Sequence, residues 1–339
     1  MKFTDGSKTA LALIAISILF MAARSGAQNA EGGKSAAGLP IWAYPVLPPS
    51  SSGPAAAPSS AEQESLKHVP GSTAAYSQTQ IQDLFVVPDW FPDSHPAMPD
   101  VVSHGRKPGV MACGHCHLPN GLGRPENASL AGLSPGYMME QMEEFKSGRR
   151  KSSEPGLAST THMIEVAKAA TPEETKAGVE YFAALKPMPW IRVVEAAEVP
   201  KTRVVSLMLI PADGGGVEPI GNRVVEMPEN LEQTELRNAK SGFVAYVPPG
   251  SLKLGESLVK TGGDGRTMAC TMCHGQDLRG MGNIPSIAGR SPSQMARQII
   301  DFQNGMRTGT SAAMMKAPVA KLTESDIVAI TGYLASLNP

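Results

Sequence analysis

The sequence predicts a mainly α chain, built as two tandem helical domains joined by a middle segment that contains short strands. Three observations carry this. Residues 105–150 align without gaps on residues 262–307 at a constant offset of 157 positions, so the chain holds an internal repeat. Within each copy apolar residues recur at steps of four then three, Met138, Met142 and Phe145 matching Met295, Ile299 and Phe302, which is the spacing of one helix face. Between the copies lie β-branched runs at 191–194 and 203–210, separated by turn signals at 213–216 and 248–250, which read as two to four short strands.

The chain has 339 residues, about two ordinary domains. Its formal net charge of −1 gives no electrostatic basis for holding nucleic acid. Residues 1–27 have the form of a secretory signal peptide: Lys2 and Lys8 precede an apolar run over 9–23, and Ser25, Gly26 and Ala27 form a small-residue cleavage site. That run is short for a membrane span, so no stable span is expected after cleavage; an uncleaved anchor is the alternative. No cysteine stands at the end of the run, which argues against a lipid-anchored protein. Residues 28–65 are rich in Pro, Ser, Ala and Gly and read as a disordered tether. An irregular lead-in follows at 66–103, with Trp90 and Phe91 among several prolines.

The first helical domain spans 104–187. Ser134 and Pro135 open its first long helix, with serine as the cap and proline tolerated in the first turn. Thr171 and Glu174 form a capping box for a second helix that carries Val179, Tyr181, Phe182 and Leu185. The middle segment covers 188–250. The second domain, 251–339, starts with a helix over 251–261; Ser291 and Pro292, then Thr323 and Asp326, cap its later helices, and Tyr333 stands where Tyr181 does.

The chemistry is concentrated in a five-residue pattern that occurs twice: Cys113, Cys116 and His117 in the first copy, Cys270, Cys273 and His274 in the second. Both read Cys-x-x-Cys-His, the attachment signal of a c-type haem. Two thiols three positions apart can each bond one vinyl group of one haem, and the next residue offers an imidazole to the iron. The two motifs use all four cysteines of the chain. A four-cysteine zinc site or two disulfides would use them too, but neither explains a histidine directly after both pairs.

A haem held by one histidine keeps a sixth position. Methionine or histidine there makes an electron carrier; an open position makes a ligand-binding or catalytic site. The candidates lie in the loop between the two long helices of each copy: Met163 with His162 as its rival, and Met315 with Met314 as its rival. Val166 and Val319 bring the loops into partial register, which leaves His162 a positional counterpart as well. The metal-ligand set read from the sequence is therefore His117, Met163, His274 and Met315. His115 sits at a variable motif position, and His68, His95 and His104 read as solvated or hydrogen-bonding. The proximal imidazoles are expected to donate their second ring N–H to backbone carbonyls, for His274 within 284–289.

On these motifs, the Ala-Gly-x-Ser-Pro segments at 131–135 and 288–292, and the late methionine before a Tyr-containing helix, the chain resembles soluble di-haem cytochromes c with two tandem class I domains. The resemblance covers about 105–187 and 251–339. It implies two covalent haem c groups, His/Met ligation, and electron shuttling in the periplasm to periplasmic or membrane-bound redox proteins, with no reaction of its own. A cytochrome subunit of a dehydrogenase shares that chemistry. The alternative class is a haem enzyme resembling di-haem peroxidases, with an open sixth position on the first haem and His162 or Glu165 as acid/base.

Overall fold

The structure is a computed structural model and describes residues 33–35, 38–45 and 63–339. The expected signal peptide and residues 28–32, 36–37 and 46–62 of the expected tether lie outside the described residues. Among the described residues no helix is long and apolar enough to cross a membrane.

Both copies of the repeat fold alike. In the first, a one-turn helix α1 (Cys113–His117), α2 (Pro135–Lys146), α3 (Ala158–Ala169) and α4 (Pro172–Ala184) follow in order. In the second, α5 (Ser251–Thr261), α6 (Thr271–His274), α7 (Pro292–Gln303), a 3-10 turn over Ser311–Met315, α8 (Lys316–Val319) and α9 (Glu324–Ser336) follow. The caps form as the sequence predicts. Ser134 and Ser291 accept from the backbone N–H groups of Tyr137 and Gln294, while Thr171 with Glu174 and Thr323 with Asp326 close complete capping boxes. The backbone path also repeats. Leu118 and Leu278 adopt φ of 62° and 61°, positions where the other copy carries Gly275 and Gly121. Leucine holds a left-handed conformation there because the surrounding turn is imposed by the rest of the copy.

The copies differ in two places. The leading helix of the second, α5, packs on α9 so closely that a Cβ on Gly255 would fall on the Ala329 carbonyl. The first copy has only a four-residue turn, Asp100–Ser103, in that place. The expected loop before the last helix is a full helix, α3, in the first copy: twelve residues without Gly or Pro propagate it. In the second copy Gly309 and Pro318 interrupt the same stretch, which forms a 3-10 turn and one short helix.

The middle segment holds seven short strands, more than the two to four expected. β1 (Ile191–Glu195), β2 (Glu198–Pro200), β3 (Thr202–Val205), β4 (Met208–Pro211), β5 (Val217–Pro219), β6 (Val225–Pro228) and β7 (Phe243–Val247) form one three-stranded and two two-stranded sheets. The excess comes from short antiparallel pairs, β2 with β5 and β3 with β4, formed by runs too short to show a period. β7 pairs parallel to β1 from Ile191 opposite Phe243 to Glu195 opposite Val247. The chain thus leaves the first copy and approaches the second along adjacent strands.

The tether expectation is corrected at 38–45. Trp42 and Tyr44 are 2% and 0% exposed in the core of the second copy. The Tyr44 hydroxyl donates to Asp301 Oδ1 (2.8 Å), and Arg297 donates to the Ala43 carbonyl (2.8 Å). Two aromatic rings supply the apolar area that the flanking Pro/Ser/Ala composition lacks. The lead-in is also more ordered than its irregular pattern suggests. Val69, Ile81 and Trp90 form a small core with Leu236 of the middle segment, and Trp90 Nε1 donates to the Leu236 carbonyl (2.8 Å).

The copies meet about a pseudo-two-fold axis. Arg150 and Arg307, equivalent positions of the repeat, form a backbone bridge. Each guanidinium donates to both equivalent glutamines: Arg150 to Gln141 (2.8 Å) and Gln298 (2.9 Å), Arg307 to Gln298 (3.3 Å) and Gln141 (2.7 Å).

Candidate haem sites

Each motif is a single helical turn whose thiols and imidazole face inward. Cys113, Cys116 and His117 line the same cavity as Cys270, Cys273 and His274, a space of about 400 Å³ with a mainly apolar wall. The sequence implied two separate slots; their merging into one space depends on how the copies pack.

His117 Nδ1 lies 2.8 Å from the Ala128 carbonyl, and His274 Nδ1 lies 2.8 Å from the Pro285 carbonyl. Ala128 and Pro285 are equivalent in the repeat, and Pro285 falls inside the segment where the acceptor was expected. A carbonyl can only accept, so the proton sits on Nδ1 and the lone pair on Nε2 is left for a metal. Burial holds both imidazoles below their ordinary pKa, which keeps them neutral near pH 7, the form a metal would need. The edge of the Phe182 ring packs against His117 at 5.9 Å between centroids.

None of the four cysteines is paired in a disulfide. Burial pushes Cys113 up to about 12 and Cys270 up to about 11, so neither is a thiolate at neutral pH. Among the described residues no group of three or more His, Cys, Asp or Glu side chains is gathered to hold a metal ion. The donor set is instead one imidazole beside two thiols, twice, against apolar walls. That set suits haem c.

All four sixth-ligand candidates line the cavity: His162 and Met163 from α3, Met314 and Met315 from the 3-10 turn. Met315 is half-buried against the core of the second copy, while Met314 is 62% exposed. His162 and Met163 are neighbours on one helix, about 100° apart around its axis, so only one can aim at a given point. Glu165 is exposed and does not line the cavity. His115 points away from the cavity, with Nδ1 3.0 Å from the Val86 carbonyl. His95 bonds Asp89 (3.1 Å) and the Tyr181 hydroxyl (3.1 Å).

Four arginines of the cavity wall were not singled out by the sequence: Arg150, Arg290, Arg297 and Arg307. Burial lowers Arg150 and Arg290 to about 10, still cationic near neutral pH. None of the four pairs with a carboxylate within salt-bridge distance among the described residues. Arg290 donates instead to the Ser129 carbonyl (2.7 Å). The recurrence of Arg150 as Arg307 at the repeat offset was the one signal available in the sequence.

The family model described as cytochrome c matches residues 259–338. Cytochrome c4 of Stutzerimonas stutzeri is 33% identical over 140 residues, which cover 37% of this chain and 65% of that protein. The cytochrome subunit of sulfide dehydrogenase of Chlorobaculum tepidum is 32% identical over 98 residues, covering 29% of this chain and 86% of that protein. The thiosulfate dehydrogenase electron acceptor of Thiomonas intermedia is 23% identical over 234 residues, covering 68% of this chain and 80% of that protein. The chain thus spans just under two thirds of the cytochrome c4 relative it matches.

Proposed function

The chain belongs to the cytochrome c family, and from that premise we propose that it is an exported carrier that holds two covalent haem c groups and passes electrons between redox proteins. Haem bound in this way supplies an iron that accepts and releases one electron without a bond being made or broken in the polypeptide. One observation supports the count of two above all: both imidazoles are held by the same backbone hydrogen bond, 2.8 Å in each copy, beside two thiols that face one cavity.

The chain's own residues divide the work. Cys113 and Cys116 tether the first group, Cys270 and Cys273 the second. His117 and His274 present Nε2 to the metal. Met163 and Met315 are the proposed sixth ligands; thioether sulfur favours the reduced iron and raises the potential. The packing of Met315 against the core supports it over exposed Met314. The four guanidiniums of the cavity wall suit the carboxylates that a haem carries, since a charge drawn out of water calls for a partner. The apolar walls keep water from the metal. Two relatives are named for dehydrogenases of sulfide and thiosulfate, which supports a periplasmic or membrane-bound oxidoreductase as partner, and the leading apolar run supports export.

Intact mass and optical spectra of protein matured in a host with haem-attachment machinery test this reading. The expected result is the mass of two added haems, with the weak long-wavelength band of methionine bound to ferric iron at an intensity matching two haems. One haem, or a high-spin fraction that binds cyanide in the resting protein, overturns it.

A further inference from the structure

We infer that the chain exchanges electrons with other proteins through the edge of its second motif alone, the edge of the first being sealed by segments outside the repeat; this rests on the two-haem reading. Equivalent positions of the two motifs differ sharply in exposure. His115 is 1% exposed, whereas its counterpart Met272 is 64% exposed. Cys116 is partly buried and Cys273 is exposed. Arg124 is buried, whereas Met281 is exposed. A repeat that folds alike twice does not produce this; the covering does.

The cover has two parts. From the lead-in, Val86 takes the His115 ring bond, and Val87 with Val102 backs Gly114 so closely that a Cβ there would lie 3.2 Å from the Val87 side chain. From the middle segment, Arg237 donates to the His115 carbonyl (2.8 Å) and to the Ile81 carbonyl (3.2 Å), tying both parts to the motif. Asn120 donates to the Ala239 carbonyl (2.5 Å) just beyond it. Electron tunnelling falls exponentially with the distance between cofactor edges, so a layer of side chains and backbone over one edge removes it as a point of exchange.

The second edge is open and apolar. Eight large apolar side chains stand exposed among the described residues, and four of them, Met268, Met272, Met281 and Met314, surround the second motif. Met268 and Met314 rim the cavity, and Met281 lies beside Gly275, the residue after His274. The nearby charges nearly cancel: Asp264 and Asp277 against Arg266, Arg279 and Lys316, with Arg266 bonded to Asp326 at 2.7 Å. A contiguous apolar patch marks an interaction site, and methionine adapts to more than one surface. The occupant this face suits is a redox protein whose own cofactor edge emerges within an uncharged apolar surface, not one steered by strong charge. The first haem then exchanges electrons only with the second, inside the shared cavity.

A second copy of the two-haem protein serves as the probe. Electron self-exchange between reduced and oxidised samples moves one electron per encounter, and haem-methyl line broadening at rising protein concentration gives its rate. Met272→Lys and Met272→Glu should each slow the bimolecular rate about tenfold, with high salt restoring only part, because an apolar contact disfavours a buried charge of either sign. Gln82→Lys, on the outer face of the cover over the first motif, should change it by less than about twofold. Equal slowing by Gln82→Lys, or Met272 variants that exchange as the parent does, overturns the single port. The same spectra count the haems, so a one-haem protein fails the underlying reading and is told apart from a two-haem protein with two working edges.

Discussion

One hydrogen bond each prepares the imidazoles of His117 and His274 for the proposed ligand role. The Ala128 and Pro285 carbonyls fix the tautomer, and burial keeps the rings neutral. Under the two-haem proposal, the candidate sixth ligands are where single substitutions would discriminate most. Met315→Ala and Met163→Ala should each remove half of the methionine–ferric band and lower the potential of one haem, read by spectroelectrochemical titration; His162→Ala should leave both potentials in place if Met163 is the ligand. A second residue-scale effect is set by Glu226, buried in the middle segment. It accepts from the hydroxyls of Ser291 (2.7 Å) and Ser293 and from the Ser293 backbone N–H (3.1 Å), yet its Oε1 has no partner. Desolvation raises its pKa above the ordinary 4.5, with those hydrogen bonds opposing. The folded chain therefore binds this proton more tightly than the unfolded chain. Its contribution is fully present below about 4.5 and declines as pH rises through the folded value. Urea midpoints should fall as pH increases across that window, and Glu226→Gln should fall less steeply.

At the scale of elements, the capping boxes of α4 and α9 satisfy orphan N–H groups that packing does not reach. Thr171→Ala and Thr323→Ala should each cost about 1 kcal/mol of stability in chemical denaturation of the haem-loaded protein. Gly255 lies within α5, where alanine would by propensity gain about 1 kcal/mol. Here the added methyl meets the Ala329 carbonyl and Tyr333 on α9, and overpacking of about 1–3 kcal/mol outweighs that gain. Gly255→Ala should therefore lower the denaturation midpoint. The helices and their caps were legible because propensity, periodicity and caps act over a few residues. The stretch before the last helix was not: Met163 lies on α3 and Met315 on a 3-10 turn, since Pro318 and Gly309 interrupt only the second copy.

Across the whole molecule, the two copies are joined by a crossed lattice in which Gln141 and Gln298 each accept from both Arg150 and Arg307. Removing one acceptor leaves two guanidiniums short of a partner in a dry wall. Gln298→Ala should cost about 1–3 kcal/mol and should separate the loss of the two haem signals during denaturation, where the parent is expected to lose both in one step. The same packing merges the two haem slots into one cavity, and the lead-in and middle segment, which seal one motif and spare the other, make the exterior unequal.

The sequence by itself determined the repeat and the helix ends, and it carries the motifs on which the haem proposal rests, because attachment needs two thiols and an imidazole within five positions and capping needs two residues within four. Tertiary structure alone decided that Trp42 and Tyr44 anchor a stretch expected to be loose, that Arg150 faces Arg307, and that the edge at His115 is covered while that at Met272 is open. Each of these depends on contacts between residues far apart in the chain, such as Arg237 with His115 and Tyr44 with Asp301, and no local pattern records which distant surface a side chain will meet.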